Sequence, residues 1–215
     1  MTRFNDRATA PTDPTTLSRR DALKAGAAGV VALFSLSHIT PAIARELARL
    51  ALGQPMTGPR LASILKSERA QWNALLAQVG LDRMDVPGVD GEWSVKQVVA
   101  HLTWYEQSIV EGAKQVLGGQ PFVRRRPASV GIDEQNARIA AESAARPAAA
   151  VLAEADDIFA QMLALVESCP PDILNDPHRL GLPDDMVPWM GVANNSYAHY
   201  REHAQAIRAW LARVS

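Results

Sequence analysis

The sequence holds a single cysteine, Cys169, among 215 residues. One cysteine excludes an internal disulfide framework and a cysteine-rich zinc site. It precedes Pro170 and Pro171 at the end of an apolar helical run, with no catalytic signature around it, so a buried packing thiol is expected. An excess of one charge is also missing. Lys and Arg number 22 against 23 Asp and Glu, a formal net charge of −1, and nothing in that balance argues for nucleic acid or an anionic membrane as a partner. The one dense basic run, Arg124-Arg125-Arg126, is short and abuts Pro127, which predicts a solvated loop. Alternating runs of Val, Ile and Thr are absent while alanine and leucine dominate, which excludes a sheet protein and favours helix throughout. The apolar stretch 25–36, broken by Gly26 and Gly29, is too short for a good membrane span.

That stretch has a different context. Residues 1–16 are polar and rich in Thr, Pro and Asp, a composition that does not fold. Ser18-Arg19-Arg20-Asp21-Ala22-Leu23-Lys24 then resembles the twin-arginine export signal S-R-R-x-F-L-K, with Ala22 where Phe is favoured. Residues 25–36 supply the apolar region, and Ala42-Ile43-Ala44 an A-x-A cleavage pattern. Residues 1–44 are therefore expected to be an export signal. The signal implies the twin-arginine machinery as a partner and a periplasmic or extracellular destination. If uncleaved, it would act as a membrane anchor.

Residues 45–58, broken by Gly53, Pro55 and Gly58, read as a linker, and residues 59–215 as one helical domain. After Pro59, Leu61, Leu65, Trp72, Leu76 and Val79 lie on one stripe of a first helix, ended by Gly80. Ser94 and Gln97 form a capping box that opens a second helix, running to Gly118-Gly119, and Trp93 before the cap is placed to staple onto Val98. A shorter helical piece is predicted around 133–145. A third long helix begins at Pro147, with Val151, Leu152, Ala155, Ile158, Phe159, Met162, Leu163 and Val166 as its buried face. Residues 172–190 read as a long proline-rich connection, and a last helix starts between Val187 and Asn194. Its stripe is Val192, Ser196, His199, His203, Ile207, Trp210 and Val214. Four long helices predict an all-α four-helix bundle.

The chain has five histidines. His38 lies in the signal segment, and His178, between Pro177 and Arg179, is expected to be exposed. His199 and His203 are four residues apart, about 40° apart on one helix face, and continue the apolar stripe, so both point inward. A third imidazole from a facing helix would complete a three-nitrogen site with an open position for Zn, Ni, Fe or Mn. Inward histidines satisfied by hydrogen bonds as core residues fit the spacing equally well.

The segment GEWSVKQVVAHLTWYEQ, followed by NNSYAHYREHAQAIRAWL, resembles the DinB-like superfamily, across roughly residues 60–213. The resemblance implies a four-helix bundle with His101, His199 and His203 as ligands of a divalent metal ion. It implies a metal-dependent hydrolase, or a transferase using a low-molecular-weight thiol, acting on a small molecule. Residues 93–106 and Pro188-Trp189 also resemble the branch that confers self-resistance to colibactin-like metabolites, so a non-catalytic metal- or metabolite-binding bundle is the alternative. Bundles of this size often pair, so a homodimer is open. Tyr105, Glu106, Tyr197, Tyr200 and Glu202 lie near the triad in sequence. Glu106 and Glu202 are candidates to orient an imidazole, Glu202 more naturally as a solvated charge, and Asn195 to contact the site. Trp104 and Trp189 are candidates for a pocket mouth.

Overall fold

Local chemistry at the helix ends sets the boundaries. In the computed structural model, which describes residues 53–180 and 187–214, helix α1 is Gly58–Val79 with Pro59 in its first turn. It stops at Gly80, whose φ of 75° is a conformation that side chains with a Cβ resist. Helix α2, Val95–Leu117, starts at the expected capping box: Ser94 Oγ accepts from the Gln97 N–H, and Gln97 Oε1 accepts from the Ser94 N–H at 2.9 Å. The Gln97 amide also donates to Ala140 O at 3.2 Å, so the cap fastens α2 to helix α3, Ile132–Ala144. Lys96, buried beside it, donates to the carbonyls of Ala144 (3.0 Å) and Arg146 (2.9 Å) and pairs with Asp85. The start of α2 and the corner after α3 are thereby held as one piece.

Helix α4, Ala148–Glu167, begins after Pro147 and buries Val151, Ala155, Ile158, Met162 and Val166. Leu152, Phe159 and Leu163 are half-buried at the edge of that stripe. The expected long connection contains two short helices, α5 (Pro171–Asn175) and α6 (Pro188–Asn194). The last helix is not continuous with α6. Asn195 donates to Gly191 O at 2.7 Å and Ser196 to Val192 O at 2.6 Å. These side chains occupy carbonyls near the end of α6 and divert the chain, as short polar side chains do. The Ser196 carbonyl then accepts from Tyr200 N at 2.9 Å and opens α7, Tyr197–Val214. Ile207 and Trp210 are buried as the stripe predicts, whereas Val214 is 40 % exposed.

The long helices α1, α2, α4 and α7 form the four-helix bundle, and no strand occurs among the described residues, only an isolated bridge between Asp90 and Trp93. Helix α4 packs on both α1 and α2, and α7 packs on α1 and touches α2. Arg201 on α7 grips the buried Glu68 of α1 through two donors, at 2.9 and 3.0 Å. This fixes the rotation of α7 and thus the direction of its histidines. No described helix is long and apolar enough to cross a membrane. The signal expected over 1–44 and most of the linker lie outside the described residues.

Candidate metal centre

Two elements supply three imidazoles. Helix α2 presents His101 on the second turn after its cap, and α7 presents His199 and His203 one turn apart. The Nε2 atoms of His101 and His199 stand 3.0 Å apart, and one ligand atom from each of the three rings lies within 4.8 Å of the others. Nitrogens bound tetrahedrally at about 2.0–2.1 Å from one zinc are roughly 3.3 Å from each other, so small ring movements suffice. His101 is 4 % exposed and the other two are half-buried.

Burial keeps all three rings neutral, the form that binds metal. Desolvation, with the neighbouring His199 and His203, lowers His101 to about 3, against the opposing effect of Asn136. Desolvation and His203 lower His199 to about 4. Desolvation lowers His203, and the Asp90 carboxylate opposes it. The Nδ1 atoms of His101 and His199 are buried without a hydrogen-bond partner. A core histidine kept only for packing satisfies its nitrogens. Three neutral imidazoles that converge, with the Nε2 atoms of His101 and His199 turned toward each other, instead fit a group that accepts lone pairs.

Aromatic rings pack against two of the three histidines. Trp93, expected over Val98, meets the His101 ring edge-on at 5.3 Å between centroids. Tyr105 meets His101 at 4.9 Å and His199 at 5.2 Å. Its hydroxyl donates to Asn136 on α3 at 3.2 Å, and burial raises its pKa, with Arg126 opposing, so the phenol stays protonated near neutrality. The spacing of four residues from His101 placed Tyr105 on the right face. Asp90 and Asn136 carried no sequence signal, because each arrives from a separate loop or helix, and Arg126 was visible only as part of a basic run.

Glu106 does not orient an imidazole through any recorded contact. It is fully buried, accepts from the Tyr200 hydroxyl, and lies 3.7 Å from Arg69 of α1. Burial pushes its carboxyl up to about 8, with Arg69 opposing. Arg69 also donates to the Tyr200 hydroxyl at 2.9 Å and to Asp156 at 3.0 Å, with its guanidinium over the Phe159 ring. This network lies in the core behind α7, with Tyr200 stacked on Trp72. Glu202 is exposed, as its solvated reading anticipates, and so is His178; Tyr197 is buried and Trp189 half-buried.

A cavity of about 310 Å³ adjoins the cluster. Tyr105 and Asn195 line it, as does Trp104, which also carries the Arg125 guanidinium 5.3 Å above its ring. Arg124, Arg125 and Arg126 all line it too, so the run expected as a solvated loop is part of a cavity wall. Cys169, half-buried, lines the same space, and burial with the nearby Asp172 raises its thiol, leaving it protonated.

The family model of the DinB superfamily matches residues 64–207. The fold is similar to an uncharacterised protein from Escherichia coli UTI89, with a TM-score of 0.62 and 16 % identity over 75 % of this chain and 96 % of that one. It is similar to a protein from Streptococcus pneumoniae, with a TM-score of 0.63 and 11 % identity over 72 % and 90 %. It is also similar to the colibactin self-resistance protein ClbS in complex with double-stranded DNA, with a TM-score of 0.59 and 16 % identity over 72 % and 95 %. No curated protein sequence matches.

Proposed function

We propose that this chain, which belongs to the DinB superfamily, holds a divalent metal ion on His101, His199 and His203. We propose that it acts there on a small molecule, as a metal-dependent hydrolase or a thiol-dependent transferase. The observation that carries this reading is the convergence of three neutral imidazoles from α2 and α7. A bound zinc, nickel, iron or manganese ion would supply a Lewis acid with an open position. The chain supplies the surroundings. His101, His199 and His203 offer lone pairs without first losing a proton at neutral pH. Trp93 and Tyr105 shield the imidazoles from water, and the cavity beyond Tyr105 has room for a substrate body.

One observation favours a second reading, that the bundle binds a metal or a metabolite without turnover, as a resistance protein. Among the described cavity residues there is no carboxylate or histidine to move a proton, and Glu106 is turned into the core. The likeness to a self-resistance protein fits this reading too. The DNA in that complex belongs to that protein; here a net charge of −1 favours a small molecule over nucleic acid. Export by the twin-arginine route, with residues 1–44 as its signal, rests on the Ser18–Lys24 motif and the Ala42-Ile43-Ala44 pattern.

Elemental analysis of the purified chain tests the metal, with close to one divalent ion per chain expected and loss in His199→Ala. Metal-free protein of undiminished stability and activity would sink the proposal. Mass spectrometry of candidate substrates then separates turnover from binding, because only the enzyme releases product.

A further inference from the structure

Among the described residues, the cavity beside the triad is lined by charge of one sign. Arg124, Arg125 and Arg126 reach it, and no aspartate or glutamate does among the described residues that line it. Two of the arginines are already engaged. Arg125 pairs with Glu111, and Arg126 donates to Val130 O. Arg124 is exposed and has no recorded hydrogen bond or ion pair. A cation left unpaired at the edge of a concave apolar site is placed to receive an anion.

The rest of the wall is apolar. Ile109, Ala113 and Val116 of α2, Leu165 and Val166 of α4 and Leu174 of α5 line it. Gly112 makes one face possible. A Cβ there would stand 2.6 Å from the Phe122 ring, so a side chain at this position would push that ring away from α2. The volume of about 310 Å³ is near the lower end of the roughly 300–1,000 Å³ typical of small-molecule sites. That is room for one slender ligand, not for a peptide or a duplex. The arginine run and the triad border the same ring, since Tyr105 packs on His101 and His199, lines the cavity and feels the charge of Arg126.

We infer that this cavity binds an amphiphile with an aliphatic body and one anionic head, a carboxylate or a phosphate monoester. The head sits at Arg124–Arg126 and the body lies along α2 toward Val166 and Leu174. That this amphiphile is the substrate of the metal centre rests on the metal reading; its binding does not, because no histidine of the triad lines the cavity.

Calorimetric titration of the full chain with hexanoate, octanoate, decanoate and dodecanoate tests it. Affinity should tighten about three- to four-fold per added methylene until the cavity is full. Decanol should bind roughly ten-fold more weakly than the better of decanoate and decyl phosphate, and comparing those two identifies the head. Ala113→Trp should fill the cavity and weaken decanoate at least ten-fold. Arg124→Ser, at an exposed position that costs the fold nothing, should weaken decanoate several-fold while leaving decanol unchanged. His199→Ala should lose metal and keep decanoate. Affinity independent of chain length, or decanoate binding indifferent to Arg124→Ser, overturns the inference. So does loss of decanoate in a folded His199→Ala chain, which would place the head on the metal. Failure of the metal reading shows separately, as absence of metal from a wild-type chain that binds the series.

Discussion

His101 and His199 face each other with their Nε2 atoms 3.0 Å apart, across helices separated by most of the domain's sequence. Two neutral imidazoles at this distance share one proton, one donating and the other accepting. Both Nε2 lone pairs would be available to a bound metal ion in place of that arrangement. His101→Ala and His199→Ala are therefore each expected to abolish stoichiometric metal binding, read by elemental analysis. Metal should raise the melting temperature of the wild-type chain, with about 2.7 kcal/mol gained at a hundred-fold excess over Kd. A chelator should reverse that gain, and neither variant should show it.

The same rings set the acid limit of the metal-free protein. Their pKa values in the fold lie below the ordinary 6.5, at about 3 for His101 and about 4 for His199. The unfolded chain thus takes up protons first as the pH drops. Stability from this source is complete above pH 6.5 and is lost as pH falls from there through 4 toward 3. Chemical denaturation at a series of pH values should show this decline, and His101→Gln should reduce it.

Glu106 acts in the opposite direction. Its carboxyl is raised from 4.5 to about 8, so between those values the folded chain keeps a proton that the unfolded chain releases. Stability falls as pH rises through that window. Glu106→Gln keeps an acceptor for the Tyr200 hydroxyl and removes the titration. It should flatten a loss on the order of a few kcal/mol between pH 5 and 8. A variant whose stability profile over that window matches wild type would show that Glu106 ionises freely beside Arg69.

Lys96 holds two carbonyls and a carboxylate while almost fully buried. Lys96→Met should cost about 2–4 kcal/mol, because those acceptors lose their partner. Ser94→Ala, two residues earlier, should cost about 1 kcal/mol through loss of the cap. Urea denaturation distinguishes the two magnitudes.

These residues also mark what sequence could and could not tell. The capping box, the glycine stop at Gly80 and the stripe through His199 and His203 are local patterns, and the bundle follows them closely. The placement of His101 against α7 came from family resemblance, since nothing within α2 announces its partner. The break before Tyr197 leaves no mark in the sequence pattern, because the hydrophobic phase continues across it. Only the side-chain bonds of Asn195 and Ser196 end α6 there. Glu106 read as a candidate to orient an imidazole, because Arg69 and Tyr200, which receive it, come from other helices. Arg125 read as solvent-facing for the same reason, since Trp104 and Glu111, which hold it, are on α2, whereas Arg124 beside it is exposed as expected.

Tyr105 stands as the shared wall between the histidines and the cavity. The histidine cluster and the compartment beyond it use different side chains, meeting at this ring. Mutation can therefore reshape what enters without disturbing the three histidines. Selection on such a scaffold can change its choice of molecule many times over while the same three imidazoles are inherited intact.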